Sequence, residues 1–277
     1  MAIWLITGAS RGFGREVALE ALRRGDSVAA TARTLDALTD LVEVGGDRVL
    51  PLVLDVTDPE QVTAATSRAL EHFGRIDVLF NNAGIGYFAA VEESDDAEVR
   101  RMMEINVFGL AAVTNALLPS MRAHRSGTVL NVSSVGGVRS FPAVGWYNAS
   151  KFAVEGLSEA LQQEVVPLGI RVVLIEPSGF ATDWAGSSAA EVTPERVIAD
   201  YDDTAGAQRR AFRSEVGNEP GDPTRAASAI VDIAHDDNPP LRLPLGNFAY
   251  DGLLDKLDTV RADIAPREQL SRSADRT

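Results

Sequence analysis

The feature that most constrains this chain is its rhythm. Over roughly the first 180 residues, short β-branched and apolar runs alternate with amphipathic stretches of helical period. The runs Ile3–Thr7, Ser27–Ala32, Val49–Leu54, Val78–Phe80, Thr128–Val132 and Val172–Glu176 read as buried strands. Helical patterns separate them at Arg15–Arg24, Leu35–Val42, Pro59–Phe73, Val99–Ala123 and Trp146–Val166. Strand and helix taking turns implies right-handed crossovers between parallel strands. The expected fold is therefore α/β: a Rossmann-type doubly wound parallel sheet with helices on both faces, in a single domain over residues 1–265.

After Pro177 the rhythm breaks. Residues 178–222 are rich in Ala, Ser, Gly and acids around a weak helical pattern, Glu195–Phe212. A helix at Thr224–His235 and an apolar piece at Leu241–Leu245 then resume the alternation. Irregular sequence after a late strand lies where doubly wound sheets bind ligands, beyond the carboxyl ends of the strands. Residues 178–222 are thus expected to form a substrate loop or lid. Residues 266–277, "PREQLSRSADRT" with its first two residues counted from 266, read as a poorly ordered polar tail.

Composition narrows the partners. The net charge of −14 disfavours nucleic acid and anionic membranes. No run of about twenty uninterrupted apolar residues occurs, since Val107–Met121 is broken by Thr114, Asn115 and Pro119. The N-terminus has no basic, apolar and small-residue succession of a secretory leader. With no cysteine in the chain, disulfides, thiol nucleophiles and cysteine-ligated zinc are excluded, and a cytoplasmic location is expected. His72, His124 and His235 lie far apart in sequence, so no metal is expected.

The glycine-rich stretch "LITGASRGFGRE" admits two readings. Gly8-Ala9-Ser10-Arg11-Gly12 fits the G-x-S-x-G elbow of hydrolases, with Ser10 as nucleophile. An elbow on the first strand has no upstream loop for an oxyanion hole, and only His235 falls late enough to serve. The second reading extends the turn to Gly14. Three glycines make it tight, and the following helix points its positive end at a pyrophosphate. In that reading Ser10 is a hydrogen-bonding turn residue.

"TGASRGFG" (7–14), "LDVTD" (54–58), "NNAG" (81–84), "INVFG" (105–109), "NVSSVGG" (131–137), "YNASK" (147–151) and "EPSGFATDW" (176–184) occur in this order. In them the sequence resembles the short-chain dehydrogenases/reductases over roughly residues 3–185, with a texture similar to the 17β-hydroxysteroid dehydrogenase-like branch. The chain departs from the family at Pro177-Ser178-Gly179, where Pro-Gly is usual.

The residues also argue for this chemistry directly. Tyr147 and Lys151 are four apart on a predicted helix and share a face. A phenol titrates near 10, and a nearby cation lowers that by about 1–3 units. Lys151 and a positive nicotinamide are together expected to make Tyr147 an effective proton donor. The chain has 24 arginines and only two lysines, Lys151 and Lys256, which suggests that position 151 demands an amine able to pass a proton. Ser134, after the strand Thr128–Val132, can donate to a developing alkoxide. The resemblance implies that Ser134, rather than Ser133, is the catalytic serine. It also implies that Asn106 holds a relay water beside Lys151, and that the hydride is the pro-S one. Each residue also has a plain structural reading: helix kink for Asn106, turn for Ser134, helix-start aromatic for Tyr147.

For the cofactor, the strand "SVAATART" ends in Arg33 with no acid, and Arg11 lies in the glycine turn. Two guanidinium groups suit a 2′-phosphate, so NADP(H) is expected over NAD(H), for which Asp36 is the remaining acid. The expected cofactor-binding set is Gly8, Ser10, Arg11, Gly12, Phe13, Gly14, Arg33, Asp55, Val56, Asn82, Ala83, Gly84, Tyr147, Lys151, Pro177, Gly179, Phe180 and Thr182. Tyr87, Phe88, Phe141, Trp146 and Trp184, with Phe180, are expected to wall a bulky, mostly apolar ketone or secondary alcohol. The leading expectation is a carbonyl reductase working reversibly. A 3-oxoacyl-thioester reductase and a non-catalytic NADP(H)-sensing protein are the alternatives. A homodimer is expected through Phe152, Leu157, Ala160 and Leu161.

Overall fold

The computed structural model describes every residue except 183, 187 and 277. Its centre is a seven-stranded, wholly parallel sheet in the order β3-β2-β1-β4-β6-β7-β9. The strands are β1 (Ile3–Ile6), β2 (Ser27–Ala32), β3 (Val49–Val53), β4 (Val78–Asn81), β6 (Gly127–Val132), β7 (Ile170–Pro177) and β9 (Arg242–Leu245). A short parallel pair, β5 (Tyr87–Phe88) with β8 (Ala190–Glu191), stands apart from it. The six strands read from the sequence all form. Each is mostly apolar because helices cover both faces, with Thr31, Asn81, Thr128, Asn131 and Glu176 as buried polar exceptions.

From β1 the chain winds outward to β2 and β3, then returns to β4 and winds the other way. The switch point between β1 and β4 opens a crevice at their carboxyl ends. One face packs α1 (Gly12–Arg23) and α8 (Pro223–Ala234) on Trp4, Ile6, Phe80 and Leu130. The other packs α3 (Pro59–Phe73) and α5 (Leu110–His124) on Leu5, Leu79 and Val129. Helix α2 is Thr39–Gly45.

Four segments differ from the sequence reading. The helix expected over Val99–Ala123 begins earlier, as α4 (Asp96–Met103), because Asp95 caps it by accepting from Ala97 N and Glu98 N. Between α4 and α5 it passes through a π turn, Glu104–Gly109. The run Asp96–His124 is apolar enough by composition to cross a membrane, yet Val113, Leu117 and Met121 are buried in the core. The weak pattern at Glu195–Phe212 becomes short turns followed by α7 (Ala207–Ser214). Beyond β9, the sequence reading has no helix, but α9 (Asn247–Ile264) forms there. Only Ala249, Gly252 and Leu253 of α9 are buried, so its amphipathic signal was faint. The tail, read as poorly ordered, carries a 3₁₀ turn at Ala265–Arg267 and α10 (Glu268–Arg272), both solvent-exposed.

The carboxylate of Asp26 ties the start of the chain to α8. It accepts from Ala2 N at 2.8 Å, from Trp4 Nε1 at 2.9 Å and from His235 Nε2 at 2.9 Å. Asp26→Ala strands the indole N–H in the core, and an unsatisfied buried donor costs about 1–3 kcal/mol. With the backbone donor also unpaired, denaturant unfolding is expected to show a loss of about 2–4 kcal/mol.

Candidate active site

The crevice is a cavity of about 720 Å³ lined from the ends of β1, β2, β3, β4, β6 and β7. It falls in the range typical of small-molecule sites, about 300–1,000 Å³. At one end lies the glycine turn. Gly8 has φ +67° and Gly12 φ +56°, values that favour glycine. Gly14 does not line the cavity. A Cβ there would fall 2.3 Å from Gly8 O and 2.6 Å from Asn82 Nδ2, so it admits the close packing of α1 on the turn. Asn82 holds the turn from the next strand, its Nδ2 donating to Thr7 O and Gly8 O at 3.0 Å each. Thr7 Oγ1 in return accepts from Asn82 N and Ala83 N.

Ser10, Arg11, Gly12, Phe13, Arg33, Asp55, Val56, Asn82, Ala83 and Gly84 all border this half of the cavity. Arg11 and Arg33 are both exposed and flank it, with Arg101 nearby and paired to Glu98 at 3.2 Å. The open N-terminus of α1, which has no acidic residue in its first turn, adds a partial positive charge. A glycine cradle, backbone donors and guanidinium groups suit a dinucleotide phosphate. Pro177, Gly179, Phe180 and Thr182 close the cavity from the β7 side. Phe180 packs edge-on against Phe13 at 5.1 Å. Ser178, the departure from Pro-Gly, finds room because Gly246 leaves space for its Oγ, 2.5 Å from where a Cβ there would sit.

The other half carries the titratable groups. Helix α6 (Gly145–Val165) presents Tyr147 and Lys151 on one face, both buried and both bordering the cavity. Lys151 Nζ lies 5.7 Å from the Tyr147 ring centroid and donates to Val132 O at 2.7 Å. Ser134 Oγ accepts from Gly136 N at 3.0 Å and also hydrogen-bonds the Tyr147 phenol. Burial pushes that phenol up to about 12, and the Ser134 bond only partly opposes it. Burial also brings Lys151 down to about 8, against the pull of Glu155. The lowering expected from Lys151 and a positive nicotinamide together is not reached by Lys151 alone. Desolvation outweighs the ammonium, which hangs on Val132 O.

Asn106 lies in the π turn and does not line the cavity. Its Nδ2 donates to Ile85 O at 2.9 Å and Ser150 Oγ at 3.1 Å, and its Oδ1 accepts from Ile85 N at 2.9 Å. With both N–H donors committed, only Oδ1 has capacity left. That atom and Lys151 Nζ both border Gly84, at 3.2 and 3.8 Å from where a Cβ there would stand.

The aromatic wall differs from expectation. Phe141 and Trp184 line the cavity, and the Trp184 ring stands 4.8 Å from that of Tyr147. Tyr87 and Phe88 do not. Both are core residues, because β8 and the following loop cover β5. Tyr87 Oη accepts from Asp95 N, and Phe88 stacks on Phe212 at 5.5 Å. Trp146 faces solvent from the first turn of α6, on a different face from its neighbour Tyr147. The wall instead includes Phe212 and Phe248, which the sequence reading did not single out. Phe212 closes the weak helical pattern, and Phe248 opens the helix that was not anticipated. Among the described residues, no cluster of three His, Asp or Glu side chains is arranged to hold a metal.

Comparisons with known proteins identify the class. The family model of the short chain dehydrogenases matches residues 2–193, and the chain belongs to that family. It is an oxidoreductase acting on CH–OH groups with a nicotinamide cofactor. It is 44% identical over 250 residues, 90% of each chain, to oxidoreductase BOA17 of Botryotinia fuckeliana. It is 39% identical over 245 residues to a 3-ketodihydrosphingosine reductase of Bacteroides thetaiotaomicron, covering 88% of this chain and 87% of that one. A short-chain dehydrogenase of Streptomyces avermitilis superposes with a TM-score of 0.92 at 42% identity, over 99% of this chain and 100% of that one. An alcohol dehydrogenase of Thermococcus sibiricus complexed with 5-hydroxy-NADP superposes at 0.72 and 27% identity, over 88% and 96%. A Burkholderia phymatum relative in complex with NAD superposes at 0.81 and 26%, over 96% and 95%.

The Lys151 shift has a consequence for stability. Its folded value, about 8, lies below the unfolded 10.5, so the unfolded chain binds the extra proton between those pH values. The folded state bears the full cost of the buried charge below pH 8 and sheds it as pH rises toward 10.5. Unfolding free energies of wild type and Lys151→Met, measured from pH 7.5 to 10.5, are expected to change relative to each other by ~3 kcal/mol in favour of wild type.

Proposed function

We propose that this protein is an NADPH-dependent carbonyl reductase, reversible as an alcohol dehydrogenase, acting on a bulky, mostly apolar ketone. The observation that carries the reading is the convergence of Ser134, Tyr147 and Lys151 on one cavity, under an aromatic wall and beside the glycine turn. The cofactor-binding set is Gly8, Ser10, Arg11, Gly12, Phe13, Arg33, Asp55, Val56, Asn82, Ala83, Gly84, Pro177, Gly179, Phe180 and Thr182, with Gly14 as packing support. When bound, the nicotinamide supplies a hydride to the carbonyl carbon.

The chain's own residues do the rest. Ser134 Oγ and Tyr147 Oη orient the carbonyl oxygen and stabilise its developing charge. The Tyr147 proton passes to that oxygen, so C=O becomes CH–OH and the phenolate remains. Lys151, a full cation at neutral pH, stabilises the phenolate and returns a proton to it. The Lys151 ammonium thus opposes the burial that holds the phenol high. Asn106 positions Ile85 and, through Ser150, the helix that carries Lys151. Trp184, Phe141, Phe212 and Phe248 exclude water and favour an apolar substrate body. The relative named for a long-chain ketone supports that substrate class. Pairing of two copies is part of the proposal, through Phe152 and Leu157, both exposed on α6 beside the exposed Phe108; Leu161, included in that face from the sequence, packs inward instead.

The test is NADPH oxidation across a panel of steroid, aryl and long-chain ketones. Tyr147→Phe is expected to abolish turnover while NADPH still binds; full turnover in that variant would overturn the reading. Arg33→Ala removes a charge-assisted bond of about 1.5–3 kcal/mol to a 2′-phosphate. Titration is expected to show NADPH binding weakened about 10-fold to 100-fold, with NADH binding unchanged.

A further inference from the structure

One helical turn beyond Lys151, behind the site, lies a cluster of charges for which the chemistry above has no use. Glu155 on α6 is 5% exposed and Glu176 on β7 is 0% exposed. Two acids this deep are rare unless partnered. Arg242, on the edge strand β9, donates through Nη1 to both Glu155 Oε2 and Glu176 Oε1, the latter at 2.5 Å, and through Nη2 to Glu159. The second oxygens, Glu155 Oε1 and Glu176 Oε2, are buried with no hydrogen-bond partner among the described residues, as is Ser133 Oγ. Ser133 closes the cluster from the loop after β6. A Cβ on Gly137 would stand 2.4 Å from Ser133 Oγ and 3.1 Å from Glu155 Oε1, so that position is open to both.

The cluster adjoins the site directly, and Glu155 is the one charged group that offsets Lys151's desolvation. We propose that Glu155, clamped by Arg242 and Glu176, is a positioning residue that sets the charge on Lys151 and through it the proton supply of Tyr147. The inference rests on the reading of Lys151 and Tyr147 given above.

The charges are arranged for this purpose. The ionisable groups against Glu155 are Lys151 and Glu159 on its own helix, Glu176 on β7 and Arg242 on β9. Burial works against the Arg242 charge, and three carboxylates more than offset it, so it stays a cation. Burial and the neighbouring Glu155 charge raise Glu176 to about 7, against Arg242. The two carboxyls therefore compete for ionisation, and Glu155 is the one of the pair that lies one helical turn from Lys151. Glu155 is itself raised by burial, with Ser133 and Arg242 pulling it back. The two acids thus act on Lys151 with opposite sign: Glu155 supports the ammonium, while an ionised Glu176 makes Glu155 harder to keep charged.

The sequence supplies a direct readout. Lys151 and Lys256 are the only lysines, so a protein labelled with ¹³Cε-lysine shows two side-chain signals, and Lys256→Arg assigns them. In the intact protein, Glu155→Gln is expected to lower the Lys151 midpoint by about one pH unit. Glu176→Gln, which removes the competing carboxyl, is expected to leave it unchanged or raise it. The pH above which kcat/KM for ketone reduction falls should move with the NMR midpoint in each variant. A Lys151 midpoint unmoved in a folded Glu155→Gln protein, or moved the same way by both substitutions, overturns the proposal. Arg242→Gln, which leaves both carboxyls and alters only the half-buried edge, is expected to lower the midpoint too and serves if Glu155→Gln does not fold. The NMR result stands without turnover: a shifted midpoint in a protein inactive on every ketone would overturn the proposed substrate reaction and leave this inference standing.

Discussion

Much of this structure depends on one buried cation. Lys151 is 6% exposed, and its Nζ donates to the carbonyl at the last residue of β6. An ammonium that deep costs several kcal/mol unless the surroundings answer it. They answer at several points. Val132 O anchors it to the sheet, Glu155 supplies the opposing charge, and Asn106 fixes the helix through Ser150. The rotation of α6 is set by these contacts. Once it is set, Tyr147 faces the cavity and Trp146 faces water.

The sheet, its winding and the catalytic pair were legible because they are written in local periods. A parallel strand buried on both faces is apolar throughout, a helix shows one apolar stripe, and Y-x-x-x-K is one turn of that stripe. The glycine turn was legible for the same reason: its three glycines answer constraints within seven residues. What was not legible depends on partners distant in sequence. Tyr87 and Phe88 sit between two recognised motifs, yet β8 and α7, more than a hundred residues later, cover them. Helix α9 buries three small or apolar residues and exposes Tyr250, Leu254 and Leu257, so no clean stripe marks it. The burial that raises the Tyr147 phenol was not legible, because spacing reveals a neighbouring charge but not the depth at which both groups lie. Desolvation is a tertiary quantity.

The segment after β7 builds its half of the cavity from loops, the two-residue β8 and the short helix α7, and is held by arginines. Arg213 donates to Ala185 O at 2.5 Å and Gly186 O at 2.7 Å, pairs with Glu191, and lies over the Phe88 ring at 4.7 Å. Arg209, 9% exposed, pairs with Glu191 at 3.0 Å and with the buried Glu93 at 3.5 Å. Glu93 in turn accepts from Ala90 N and Ile198 N. These contacts satisfy backbone groups that the loops leave open, and β8 adds a short parallel pairing with β5.

The two halves of the site therefore answer to different physics. Ser134, Tyr147, Lys151 and the carboxylates behind them lie on or between α6, β6, β7 and β9, where a shift of one side chain disturbs the central sheet. The aromatic wall of Trp184, Phe212 and Phe248 is carried by the segment after β7 and by a helix that buries little of itself. Exposed, irregular segments tolerate sequence change far better than a doubly covered parallel sheet. A chain built this way can change the aromatic wall of its cavity while the buried Lys151 and Tyr147 stay fixed by the scaffold.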